Sequence, residues 1–188
     1  MILYLSIIFV CGVIVALANG LGYGDPLGWT VAINFGGILL QMIVNGATAA
    51  ICRSLPEKCV PYGAKVFAVG KREKLFYEKL HIRKWKDHIP EIGHLTGFRK
   101  TKVEDPKSVE YVERFLLETR YGEVGHFSSI FTSFLLMFFC FIPAVRWTVV
   151  LPICVIGALL NVPSLLVLRY NSYKLEVLYK ANKKRATK

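Results

Sequence analysis

The segment ETRYGEVGHF, Glu118–Phe127, sets two carboxylates, an arginine and a histidine directly before the most hydrophobic stretch of the chain. Glu123 and His126 are three positions apart, so on a helix they share a face and come within hydrogen-bonding reach. A carboxylate on one imidazole nitrogen fixes the tautomer and makes the other nitrogen a better base near neutral pH. The pair is a candidate catalytic base for taking the proton of an alcohol. The competing reading, that both residues simply end a helix at a membrane surface, has about equal weight from spacing alone. A di-iron half site also uses Glu-x-x-His, but it needs a second copy, and none exists here.

Two further clusters carry charge. HIRKWKDH, His81–His88, gathers Arg83, Lys84 and Lys86 around Trp85 with Asp87 beside them. Such cations next to a tryptophan anchor a chain at a bilayer surface, and they can also hold phosphates, as in coenzyme A or a lipid pyrophosphate. Asp87, His88 and His94 are weaker acid or base candidates. NVPSLLVLRYNSYKL, Asn161–Leu175, places Asn161 inside an apolar run and Arg169, Tyr170 and Asn171 at its end. The five cysteines are scattered, and Cys52 and Cys59 form neither a zinc signature nor a redox pair, so no metal and no disulfide is implied. There is no G-x-S-x-G elbow, P-loop, H-E-x-x-H or G-x-G-x-x-G.

The elements that must position these groups follow from segregation of charge. The chain has 188 residues, 54% of them hydrophobic and 20% charged, and a mean hydropathy of +0.43. The windows Ile2–Asn19, Trp29–Ile51, Phe127–Ala144 and Val149–Leu168 contain no Asp, Glu, Lys or Arg. Each is long enough to cross about 30 Å of hydrocarbon as a helix. They predict spans at 2–19, 29–51, 127–146 and 148–168. The first span lacks the basic start and small-residue cleavage site of a signal peptide and is read as a retained helix. The fold class expected is an all-α integral membrane protein, with four transmembrane helices in two hairpins and a basic, helical cytoplasmic insert. The whole of 1–188 is one membrane domain on this reading, with the insert at 52–126 and a basic tail at 169–188.

Insert and tail hold 23 of the 24 Lys and Arg, the other being Arg146. The positive-inside rule therefore puts insert, tail and both termini on the cytoplasmic side. The net charge of +11 flanks apolar spans rather than covering a folded surface, which fits anionic lipid rather than nucleic acid. Within the insert, KREKLFYEKLHIRKW reads as an interfacial amphipathic helix, and Pro90, Gly93 and Gly97 break the chain after it. Asp105 and Pro106 offer a helix start. Val109, Val112, Phe115, Leu116 and Thr119 then make an apolar stripe, with Gly122 and Gly125 weakening the helix before the third span. In the second span Asn34, Gln41 and Asn45 recur at helical spacing and require partners inside the bundle. The same three residues can equally line a polar pocket.

IRKWK at Ile82–Lys86, ET followed by E-x-x-H at Glu118–His126, and N-x-P with RYN and KL within Asn161–Leu175 resemble, in order and spacing, the glycosyl-4,4'-diaponeurosporenoate acyltransferase family. The resemblance covers about 76–179 and departs from the family's pattern at Leu168 and Ser172. It implies transfer of an acyl group to a primary hydroxyl of a glycosylated isoprenoid. In the mechanism it suggests, no cofactor is bound, and acyl-CoA or a similar acyl donor is a co-substrate. The partners are then the lipid bilayer, that acyl donor and an amphiphilic hydroxyl acceptor. His126 would remove the hydroxyl proton and Glu123 would support the imidazole. Arg83, Lys84 and Lys86 would bind donor phosphates, and Arg169 or Asn171 would face the oxyanion. Trp85, Asp87, Glu118, Asn161 and Tyr170 complete the substrate-contacting candidates. Two other classes stay open: a non-catalytic membrane partner of a lipid-biosynthetic enzyme, and a small membrane methyltransferase.

Overall fold

The computed structural model of the chain describes residues 2–61, 64–89 and 103–187, with side chains from Tyr4 onward. His94 and the breaks expected at Pro90, Gly93 and Gly97 lie outside the described residues. Among the described residues there is no strand. The helices are α1 (Ile2–Tyr23), α2 (Leu27–Arg53), α3 (Lys71–Lys79), α4 (Ile82–Trp85), α5 (Val109–Thr132) and α6 (Trp147–Ala186), with short 3-10 segments between them. Among the described residues four stretches are long and apolar enough to cross a membrane, Tyr4–Tyr23, Leu27–Arg53, Val109–Phe141 and Trp147–Ala186. Each expected span overlaps one of them. The spans themselves are parts of longer helices: α5 begins well before residue 127, and α6 continues through Pro163 and the basic tail to Ala186.

The third span changes winding on the way. After Thr132 the chain tightens to a 3-10 helix over Ser133–Phe141. Ser133 donates its hydroxyl hydrogen bond back to the Ser129 carbonyl at 2.6 Å, a contact that competes with regular helical bonding. The 3-10 rise is about 2.0 Å per residue against about 1.5 Å in an α-helix, so 127–141 extends about 27 Å. A short apolar run thus nearly matches a hydrocarbon core of about 30 Å.

The chain divides into two compact units, 1–51 with 127–162 and 52–126 with 163–188. In the first, Gly24 takes a left-handed φ of +67°, which lets the chain turn sharply from α1 into α2. Leu136, Val149, Val150, Ile153 and Cys154 are buried together, and Gly37 lets the Ile153 side chain approach α2 closely. Asn34, Gln41 and Thr48 of α2 bond across the helices, as lipid surroundings demand, whereas Asn45 accepts from Gln41 within α2 at 3.0 Å. Asn34 donates to the Gly12 carbonyl at 2.7 Å, Gln41 Nε2 to Ser133 Oγ at 2.9 Å, and Thr48 pairs with Thr132 at 2.9 Å. The two connections of this unit are joined by a bidentate ion pair, Arg146 Nε to Asp25 Oδ2 at 2.5 Å and Nη2 to Oδ1 at 2.9 Å. Arg146 remains about half exposed, so Arg146→Ala is expected to leave the unfolding transition in detergent nearly unchanged.

The second unit is organised around the polar half of α6. Val112, Phe115 and Leu116 of α5 are buried against Leu175 and Tyr179, the stripe that the sequence periodicity marks. Helix α5 starts later than Asp105 and Pro106 suggest. Asp105 accepts from the Lys107 and Ser108 amides, and Ser108 Oγ accepts from the Tyr111 amide, so Ser108 does the capping. Gly122 and Gly125 do not interrupt α5. A Cβ at Gly122 would stand 2.9 Å from Leu168 Cδ1, so this glycine allows α6 to lie close. The KREKLFYEKLHIRKW segment is not one helix: α3 ends at Lys79, His81 adopts a left-handed φ of 52°, and α4 restarts at Ile82. The restart buries Ile82 with Val69, Tyr77, Val167 and Tyr170.

Candidate active site

Arg169 is the hub of the second unit. Its position on α6, two turns into the polar half, brings it between α3 and α5. Nε donates to Glu73 Oε1 at 2.9 Å, Nη2 to Glu73 Oε2 at 2.9 Å, and Nη1 to both Glu123 Oε2 at 3.2 Å and the Val66 carbonyl at 2.9 Å. Four of the five N–H groups of the guanidinium are thereby engaged. Glu123 is almost fully buried, with a side chain 4% exposed, and its other oxygen accepts from Ser172 Oγ, one turn further along α6 from Arg169. Two carboxylates therefore share one cation inside the unit. A neighbouring buried cation, Arg120, donates to the Val60 carbonyl, lies over the Phe67 ring and pairs with Glu176 at 3.7 Å.

This arrangement corrects the pairing expected from spacing. Glu123 turns its oxygens to Ser172 and Arg169 rather than to His126, because a buried carboxylate gains more from a guanidinium and a hydroxyl than from a neutral ring. His126 is half-buried one turn further along α5 on the same face. Arg169 likewise has little donor capacity left for an oxyanion.

Glu73 also accepts from the Tyr77 hydroxyl, one turn along α3. Burial, reinforced by the adjacent Glu73 carboxylate, pushes the Tyr77 phenol from 10.0 up to about 12. The sign follows directly. A raised folded-state value gives stability that is complete below pH 10 and is lost as pH rises through about 12. Tyrosinate absorbance is expected to show a late-titrating component that is smaller in Tyr77→Phe.

The three sequence clusters meet through different contacts. Trp85 packs on the core that contains Tyr170 and donates Nε1 to the Leu80 carbonyl at 3.0 Å. Tyr170 is buried under the Lys174 ammonium, 4.4 Å from its ring centre. Arg83, Lys84 and Asp87 are exposed, Lys86 lies 3.5 Å from Asp87, and Asn171 is half-buried. Glu118 is held by Arg53 at 2.7 Å and Arg114 at 2.9 Å, an ion-pair clamp between α2's end and α5. Asn161 belongs to the first unit, where it donates to the Gly157 carbonyl. Sequence reasoning missed Glu73, Tyr77, Arg120, Ser172 and Glu176. Arg120 had a signal, as the arginine of the Glu118–Phe127 segment. Among the described residues no cluster of His, Cys, Asp and Glu is arranged to hold a metal ion.

No curated protein and no solved structure matches the chain. The sequence pattern of the glycosyl-4,4'-diaponeurosporenoate acyltransferase family matches residues 62–181, more than half of the 188. The matched stretch contains α3, α4, the whole of α5 and the Arg169 hub with both carboxylates. The chain belongs to the glycosyl-4,4'-diaponeurosporenoate acyltransferase family, a family of acyltransferases.

Proposed function

We propose that the protein moves a fatty acyl group from a thioester donor of the acyl-CoA type to a hydroxyl of a glycosylated isoprenoid or another glycolipid. The observation that carries this reading is the family match, whose description names both acyl transfer and a glycosylated substrate. The acceptor oxygen attacks the thioester carbonyl while His126 takes its proton, and the proton then goes to the departing thiolate. Glu123, Ser172 and Arg169 are positioning residues in this scheme. Exposed Arg83 and Lys84 receive the donor phosphates, and Asn171 is the remaining candidate for the oxyanion. In this reading the insert and both termini face the cytoplasm, which the distribution of Lys and Arg supports.

The test is transfer of a labelled acyl group from acyl-CoA to a membrane lipid extract by purified protein in liposomes. A labelled glycolipid supports the proposal and supplies the acceptor for identification. No product across several donors, from folded protein, turns the reading toward a membrane partner of another enzyme. Methyl transfer from S-adenosylmethionine would replace it with the methyltransferase reading.

A further inference from the structure

A cleft in the first unit, between α1, α2 and α6, encloses about 480 Å³ counting its open side. Its walls are apolar, with Ile8, Val15, Ile38 and Ile156 among them, but three amides of α2 line it, Asn34, Gln41 and Asn45, the last accepting from Gln41 Nε2 at 3.0 Å. Asn34 and Gln41 are buried, at 0% and 4% exposure. Their orientation is fixed by what surrounds them. Ser133 Oγ gives its own hydrogen to the Ser129 carbonyl, so its contact with Gln41 must receive a hydrogen from Nε2. The Gly12 carbonyl likewise demands Nδ2 of Asn34. The amide nitrogens are therefore engaged, and both carbonyl oxygens, Asn34 Oδ1 and Gln41 Oε1, accept no hydrogen bond from the described residues.

Two buried acceptors without donors are costly in an apolar medium. Glycines keep the space around them clear. A Cβ at Gly157 would stand 2.9 Å from Cγ and Cδ of Gln41, and one at Gly12 would stand 3.2 Å from Asn34 Nδ2. Both glycines also line the cleft. An apolar trough with acceptor oxygens at two depths fits an aliphatic chain that carries a hydrogen-bond donor. We infer that this cleft binds a lipid alcohol, whose chain lies against α1 and α6 and whose hydroxyl donates to Gln41 Oε1 or Asn34 Oδ1. The inference does not rest on the acyl-transfer reading, and either can fail alone.

The experiment uses the full chain in lipid nanodiscs and a long-chain fatty alcohol bearing a photoactivatable diazirine, with adducts located by peptide mass spectrometry. The expected result is labelling of the peptides that contain Cys11 and Met42, suppressed by excess unlabelled alcohol and not by its methyl ether. Gln41→Met, which keeps the length and removes the acceptor, is expected to reduce that labelling about tenfold. Gly157→Ala, which crowds Gln41 without removing a polar atom, is expected to reduce it as well. Equal competition by the methyl ether, or undiminished labelling in both variants, would overturn the proposal and leave a cleft that takes any acyl chain. The ether comparison is made on the wild-type protein, so it decides the matter even if a variant does not fold.

Discussion

Arg169→Met is expected to destabilise the protein by about 3–5 kcal/mol, measured by denaturant or thermal unfolding in detergent. The arginine is the shared cation of Glu73 and Glu123, with N–O distances of 2.8 and 3.2 Å, and its side chain is only 17% exposed. Methionine can fill part of the space but leaves two carboxylates facing each other. The second substitution Glu123→Gln removes one of these charges and keeps an acceptor for Ser172, so adding it to Arg169→Met should recover part of the loss. A melting temperature for Arg169→Met within experimental error of wild type would mean that the cluster is solvated and not the core of this unit.

His126→Ala is expected to lower acyl transfer by about 10²–10⁴ while leaving the unfolding transition in place. The imidazole is half-buried and lies one turn beyond Glu123 on α5. Its loss therefore affects chemistry more than packing. A fall in kcat with an unchanged KM separates this from a loss of substrate binding. An unchanged rate in folded His126→Ala would remove the general base from the mechanism and shift attention to Glu123, the other group on that face.

Much of the fold is legible in the sequence because lipid leaves few alternatives. Four windows free of charge are four helices once every backbone group has to be bonded internally. The stripe of Val112, Phe115 and Leu116 likewise announces the buried face of α5. The winding of Ser133–Phe141 is another matter, since a run of Phe and Leu is compatible with either helical rise. His81 gives no warning either, because a left-handed residue that is neither glycine nor asparagine is held by tertiary packing, here the burial of Ile82.

The candidate site divides in the same way. Glu123 and Arg169 were legible as residue types next to spans, yet their pairing spans 46 positions and that of Arg169 with Glu73 spans 96. Local periodicity carries no information at such separations. Spacing therefore assigned Glu123 to His126, the nearest group in sequence, whereas the folded chain supplies a cation and a hydroxyl from α6. Ser172 shows the converse. Nothing in its spacing marks it, and the fold gives it a use, because Ser172 donates to the second oxygen of Glu123.

The ion pair between Asp25 and Arg146 bears on how the protein enters a bilayer. The connections 20–28 and 145–148 contain one charged residue each, of opposite sign. Moving a single elementary charge against a membrane potential of 100 mV involves about 2.3 kcal/mol. In the proposed topology, with both termini on the cytoplasmic side, Asp25 contributes this with one sign as the first pair of helices crosses, and Arg146 contributes it with the other when the second pair follows. Insertion of the finished four-helix unit is thus electrically neutral, and its completion should be insensitive to whether the membrane is energised.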